Sequence, residues 1–237
     1  MSMGAKKRVG ILGGMGPEAT ILLMQKVLAA VRGGAEGDHI PLIVHQNPQV
    51  PSRIARLIEG QGDGRGEDPG PVLAAMARDL QAAGAEALAM PCNTAHHYLP
   101  EIAAACRLPF IDMVARAADR AIELTPQGGR IGILASPAVR QVGLYDRALA
   151  ARGRVAAYPR DDAPVLDAIR QIKAAGAGDA ARDELRRASA DLAAQGVTVQ
   201  MLACTELSLI PEAVAVGVTS FDTLDCLTEG IVAFSKG

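Results

Sequence analysis

Arg8-Val9-Gly10-Ile11-Leu12 returns 122 residues later as Arg130-Ile131-Gly132-Ile133-Leu134. Each is a short run rich in β-branched residues that ends in small ones. That is the pattern of a buried parallel strand entering a tight turn. A longer match follows. Asp79-Leu80-Gln81-Ala82-Ala83-Gly84 parallels Asp191-Leu192-Ala193-Ala194-Gln195-Gly196, and the apolar stretches 87–90 and 199–203 come next. They lead to Cys92 and Cys204, 112 residues apart. Pro100-Glu101 then matches Pro211-Glu212, and Phe110-Ile111-Asp112 resembles Ser220-Phe221-Asp222. Both halves thus read as a helix ending in glycine, a strand, a loop, and a proline that opens another helix. Gly84 and Gly196 fit the position after a helix end, where a positive φ is needed. The two prolines fit a first helical turn, where the missing N–H costs nothing.

Strands alternating with helices imply a parallel sheet flanked by helices, and the duplication implies two such α/β domains related by a pseudo-twofold axis. The expected division is residues 1–113 with 219–237 in one domain and 114–218 in the other. The last segment, with Leu224, Leu227, Ile231 and Phe234 at helical spacing, is expected to cross back to the first half. The offset shrinks from 122 to 112, which places about ten extra residues in the first half. The Gly-rich stretch 60–70 is the expected site of that insertion. It reads as a mobile surface loop without regular structure, and both a plain insertion and an active-site lid fit it.

Composition narrows the function. The 237 residues carry 24 basic and 26 acidic side chains, with no basic stripe for nucleic acid. Aromatics are 3% and tryptophan is absent, so no stacking surface for bases is expected. No apolar run is long enough to span a bilayer, and the run after Lys7 is too short for a signal peptide, so a cytoplasmic protein with no membrane partner is expected. The four cysteines are far apart and form no CxxC, so neither a metal site nor a disulfide framework is expected. Gly13-Gly14-Met15-Gly16 lacks the full glycine pattern of a nucleotide-binding loop.

Ligands of parallel α/β sheets bind beyond the carboxyl ends of the strands, where Cys92 and Cys204 both stand. Facing each other across the cleft, two thiols can serve opposite faces of one small ligand. Racemisation needs that arrangement, since a proton leaves one face of a carbon and another arrives on the opposite face. A thiol ionises near pH 8.5, so one thiol and one thiolate can coexist after modest tuning. The polar residues behind each cysteine, Asn93-Thr94 and Thr205-Glu206, offer a concavity for an anion. Cys106 and Cys226 read as small buried hydrophobes. His96, four residues past Cys92, fits either a site residue or a structural histidine; His97 reads as surface. Glu18 suits the first turn of a helix.

Met90-Pro91-Cys92-Asn93-Thr94-Ala95-His96 and Ala203-Cys204-Thr205-Glu206-Leu207 resemble the paired cysteine motifs of the Asp/Glu racemases. Gly10 to Thr20, and Asn47-Pro48-Gln49-Val50-Pro51-Ser52-Arg53, resemble segments of the aspartate racemase branch. The resemblance runs from near residue 8 to near residue 226. It implies PLP-independent two-base racemisation with no cofactor, an amino-acid substrate and a homodimer. It assigns proton transfer to Cys92 and Cys204. Substrate contacts fall to Met15, Gly16, Asn47, Gln49, Arg53, Asn93, Thr94, Lys173, Thr205 and Glu206. Arg53 would grip one carboxylate, and Lys173 matches a lysine assigned to the second. Glutamate racemases tend to carry Asp-Ser in the first glycine loop and a histidine after the second Cys-Thr. Here Gly14-Met15 and Glu206 stand instead, which favours aspartate over glutamate. The rival readings are glutamate or broad-specificity racemisation, the related hydantoin racemases, arylmalonate decarboxylases and maleate isomerases, a catalytically silent dicarboxylate binder and a thiol redox protein.

Overall fold

The computed structural model describes residues 6–31, 35–59 and 66–237. In the first half, β1 (Val9–Gly13) leads to α1 (Pro17–Ala29), β2 (Leu42–Gln46), α2 (Pro69–Ala82), β3 (Ala87–Ala89), α3 (Leu99–Ala105), β4 (Phe110–Ile111) and α4 (Met113–Leu124). The second half runs β5 (Arg130–Leu134), α5 (Pro137–Gln141), α6 (Leu144–Ala150), β6 (Val155–Ala157), α7 (Ala163–Ala175), α8 (Asp179–Ala194), β7 (Val199–Leu202), β8 (Thr219–Asp222) and α9 (Thr223–Lys236). Two four-stranded sheets result, ordered β2-β1-β3-β4 and β6-β5-β7-β8. Every pairing is parallel. The repeated runs around residues 11 and 133 are the inner strands β1 and β5. Ile11 lies opposite Val44 and Ala89, and Ile133 opposite Met201. No helix among the described residues is long and apolar enough to cross a membrane.

The helix ends obey the repeat. Gly84 and Gly196 follow the last turns of α2 and α8 with φ of +90° and +78°. The next amides, Ala85 and Val197, reach back to the carbonyls of Leu80 and Leu192 at 3.0 and 3.1 Å. This closes each helix and turns the chain into β3 or β7. Asp112 and Asp222 do the matching job at the other end. Each carboxylate caps the helix it precedes, accepting from Val114 and Ala115 in one case and from Leu224 in the other.

Those capped helices trade places. Val114, Ala117, Ala118 and Ala121 of α4 pack into the second core with Ile131, Ile133, Leu149 and Met201. Leu224, Leu227 and Ile231 of α9 pack into the first core with Val9, Ile11 and Leu23. Each half lends a helix to the other, so the two sheets are held facing one cleft. Leu227 is fully buried. Leu227→Ala is therefore expected to lower the unfolding free energy by about 2–5 kcal/mol in urea denaturation. A loss below about 0.5 kcal/mol would mean that α9 does not carry this core.

Three expectations shift. β8 pairs with β7, so a division at residue 219 would cut a strand from its own sheet, and only α9 crosses back. Of the Gly-rich stretch, residues 60–65 lie outside the described residues, and Pro69 and Gly70 already form the first turn of α2, capped by Asp68. Pro100 opens α3 as expected, but Pro211 begins only a three-residue helical turn, Pro211–Ala213.

Candidate active site between the two sheets

The carboxyl ends of β1, β3, β5 and β7 converge on one small cavity. Cys92 and Cys204, both buried, line it together. Each sits one short turn beyond its strand, and a turn of 3-10 helix follows, at Thr94–Tyr98 and Leu207–Leu209. The two cysteine loops are stitched to one another across the pseudo-twofold axis. Thr205 Oγ1 donates to the Pro91 carbonyl at 3.1 Å. Asn93 Nδ2 donates to Thr223 Oγ1 at 3.1 Å, and its Oδ1 accepts from Tyr145 Oη at 2.5 Å. Both ends of the Asn93 amide are thus occupied, and its side chain locks the Cys92 loop to the second half.

The remaining wall divides by polarity. Thr94 Oγ1 lies 3.3 Å from Ser136 Oγ, and both face the cavity. Arg53 reaches in from the segment after β2 and is 9% exposed. Its Nη1 donates to the carbonyls of Val50 and Pro51, and its Nη2 to that of Met15. Its Nε is buried without a partner. Among the described residues no carboxylate pairs with it. Lys173 of α7 lines the cavity too, with Nζ 3.1 Å from Glu206 Oε1. Burial pulls the Lys173 ammonium toward a lower pKa, but the Glu206 carboxylate attracts it and the net shift is upward. The other oxygen of Glu206, Oε2, accepts from Cys204 Sγ at 3.0 Å. Burial pushes the Cys204 thiol well above the ordinary thiol range. The Glu206 carboxylate adds to that, and Lys173 opposes it. The acid form of Cys204 is therefore the stable one in this arrangement.

Of the residues the sequence singles out, Met15, Arg53, Asn93, Thr94, Lys173, Thr205 and Glu206 line the cavity with the two cysteines. Gly16 does not line it, although an added Cβ there would stand 4.0 Å from Glu206 Oε1. Asn47 and Gln49 are not brought in. Asn47 Oδ1 turns back to accept from the Gln49 amide at 3.0 Å, and Gln49 is exposed. Asn47 shapes the loop through its main chain: a Cβ on Gly14, whose φ is +94°, would lie 2.4 Å from the Asn47 carbonyl carbon. Only glycine permits that approach.

His96 is structural. Burial holds its imidazole below the usual range against the pull of Asp112. Its Nε2 accepts from the Met113 amide at 3.3 Å, so the proton rests on Nδ1, which donates to the Cys92 carbonyl at 2.8 Å. Ser52, Ile54, Ser136 and Ile169 also line the cavity and were not foreseen. Ser136 had a signal, since it lies 122 residues after Gly14. Cys106 donates to Gln81 and Cys226 is buried in the second core, both away from this cavity. No group of three or more His, Cys, Asp or Glu side chains among the described residues has a metal-holding arrangement.

Solved structures share this architecture. Picrophilus torridus aspartate racemase superposes with a TM-score of 0.83 at 23% identity, over 97% of this chain and 94% of that one. An aspartate racemase homologue from Pyrococcus horikoshii gives 0.73 at 21% identity, over 98% and 100%. Francisella tularensis glutamate racemase, solved with D-glutamate, gives 0.65 at 17%, over 94% and 79%. At these identities the likeness is one of fold. The family model described as Asp/Glu/Hydantoin racemase matches residues 12–231, and the chain belongs to that family.

Proposed function

We propose that this protein racemises an amino acid without PLP, that aspartate is its substrate, and that Cys92 and Cys204 are the two bases. The observation that carries the reading is the pair of buried thiols at equivalent strand ends on one small cavity. In one direction the Cys92 thiolate takes the α-proton. The S–H bond forms, the C–H bond breaks, and the electron pair stays on Cα as a carbanion. The Cys204 thiol then gives its proton to the opposite face and is left as the thiolate. The reverse direction exchanges the roles.

The carbanion is the hard step, because Cα–H is a weak acid. Donors already fixed in place must meet the charge as it develops. Arg53 is suited to that, since its cation is held by neutral carbonyls and no carboxylate among the described residues balances it. A substrate carboxylate would supply the missing charge through paired hydrogen bonds. Lys173 stands ready for the distal carboxylate, with one of its three donors given to Glu206. Thr94 and Ser136 offer hydroxyls nearby. Two cations lining one small cavity favour a short dicarboxylic substrate.

The test is α-proton exchange in deuterated water with purified enzyme and no PLP, scored across aspartate, glutamate and neutral amino acids by NMR. Aspartate is expected to exchange fastest and to racemise. Binding without exchange would leave a silent binder, and faster exchange of glutamate would overturn the substrate. Activity that falls when the thiols are reduced would point to a redox protein instead.

A further inference from the structure

The two halves match at the cysteines and differ two residues later. Thr94 follows Cys92 at that spacing, and Glu206 follows Cys204. The Glu206 carboxylate is fixed from both sides: Oε2 accepts the Cys204 thiol at 3.0 Å, and Oε1 faces Lys173 Nζ at 3.1 Å. Its side chain is only 10% exposed. A carboxylate that accepts from sulfur requires the proton to be on the sulfur. At Cys92 the matching place holds a neutral hydroxyl, which turns to Ser136.

We propose that Glu206 is a positioning residue that keeps the shared proton on Cys204 in the resting enzyme, with Lys173 holding the carboxylate in place. This rests on the two-cysteine reading above and breaks the symmetry of that pair. The resting enzyme is then set to deprotonate the enantiomer whose Cα–H faces Cys92, with Cys204 as the donor on the far side. The other enantiomer waits until the proton has left Cys204 and reached Cys92. The two enantiomers have equal free energy, so kcat/KM is the same in both directions. The bias shows in kcat and KM taken separately.

The charged and titratable groups acting on Cys204 are Glu206, Lys173 and Cys92, and Arg53 acts on Lys173 in turn. Glu206 and Lys173 push the thiol in opposite directions, which gives a test that misfolding cannot imitate. The enzyme would be labelled with ¹³C at cysteine Cβ, and its four signals assigned with single Cys→Ser variants. The Cys204 signal would then be followed against pH. In the unaltered protein it is expected to remain that of a thiol well past the ordinary thiol midpoint. Glu206→Gln removes the charge and keeps the shape, and should lower the midpoint by about 1–3 units. Glu206→Asp keeps the charge and should restore most of the shift. Lys173→Met should raise it.

A midpoint unmoved in Glu206→Gln, or one moved the same way by Glu206→Gln and Lys173→Met, overturns the proposal. The readout needs no turnover. Full racemisation by the Cys92 and Cys204 variants would therefore sink the two-cysteine mechanism alone, and an unmoved midpoint would sink the role of Glu206 alone.

Discussion

Cys92→Ala and Cys204→Ala are each expected to lose racemisation of aspartate in both directions, by about 10²–10⁴-fold or more, the usual worth of one general acid or base. The loss must be bidirectional because each thiol is the base in one direction and the acid in the other. The pair should separate in a finer measurement. With one thiol gone, the other can still remove a proton and return one to the same face. Each variant should then exchange deuterium into one enantiomer without inverting it, and the two variants should choose opposite enantiomers. A chiral separation of the amino acid after incubation in deuterated water reads both quantities at once. Cys106→Ala and Cys226→Ala serve as controls, since Cys106 bonds to Gln81 on the outer side of the first core and Cys226 lies within the second. Wild-type racemisation in either of the first two variants would remove that cysteine from the mechanism.

The duplicated sequence made most of the fold legible because the repeat falls on residues with single physical jobs. Gly84 and Gly196 must leave a helix with positive φ, and the runs at 8–12 and 130–134 must be buried parallel strands. Asp112 and Asp222 fall in the repeat as well, and the structure adds that each caps a helix. The cleft followed on one condition, that the duplicated halves face each other; Cys92 and Cys204 do line one cavity. Side-chain direction was out of reach. Asn47 and Gln49 belong to a segment that resembles the racemases, yet Asn47 folds back on the Gln49 amide. A sequence cannot say whether a polar side chain faces a ligand or its own turn. Nothing in the chain order links Lys173 to Glu206, because their pairing depends on how α7 lies over the end of β7. Ser136 was missed for a different reason. Its loop carries no cysteine or glycine to draw attention, and only the offset from Gly14 marks it.

Arg53→Met is expected to cost the second largest effect, about 10²–10⁴-fold in kcat/KM for aspartate. Two charge-assisted hydrogen bonds to a carboxylate are worth about 1.5–3 kcal/mol each, and every 1.4 kcal/mol is tenfold. The structural role of Arg53 complicates the reading, since its Nη atoms also bind the carbonyls of Val50, Pro51 and Met15. Those carbonyls would lose their donors in the variant and the loop would loosen. Arg53→Lys separates the two contributions. It keeps a cation and loses the planar fork, so a site that needs only charge should recover, and one that needs paired hydrogen bonds should not. Arg53→Gly with added guanidinium is the sharper arm. A free guanidinium ion can refill the space and restore the paired contact without rebuilding the tether to the chain. Recovery of kcat/KM that saturates with guanidinium, and is absent with added ammonium, would place the carboxylate on Arg53. A kcat/KM within threefold of the original in Arg53→Met would leave the buried guanidinium as a loop anchor and move substrate binding to Lys173.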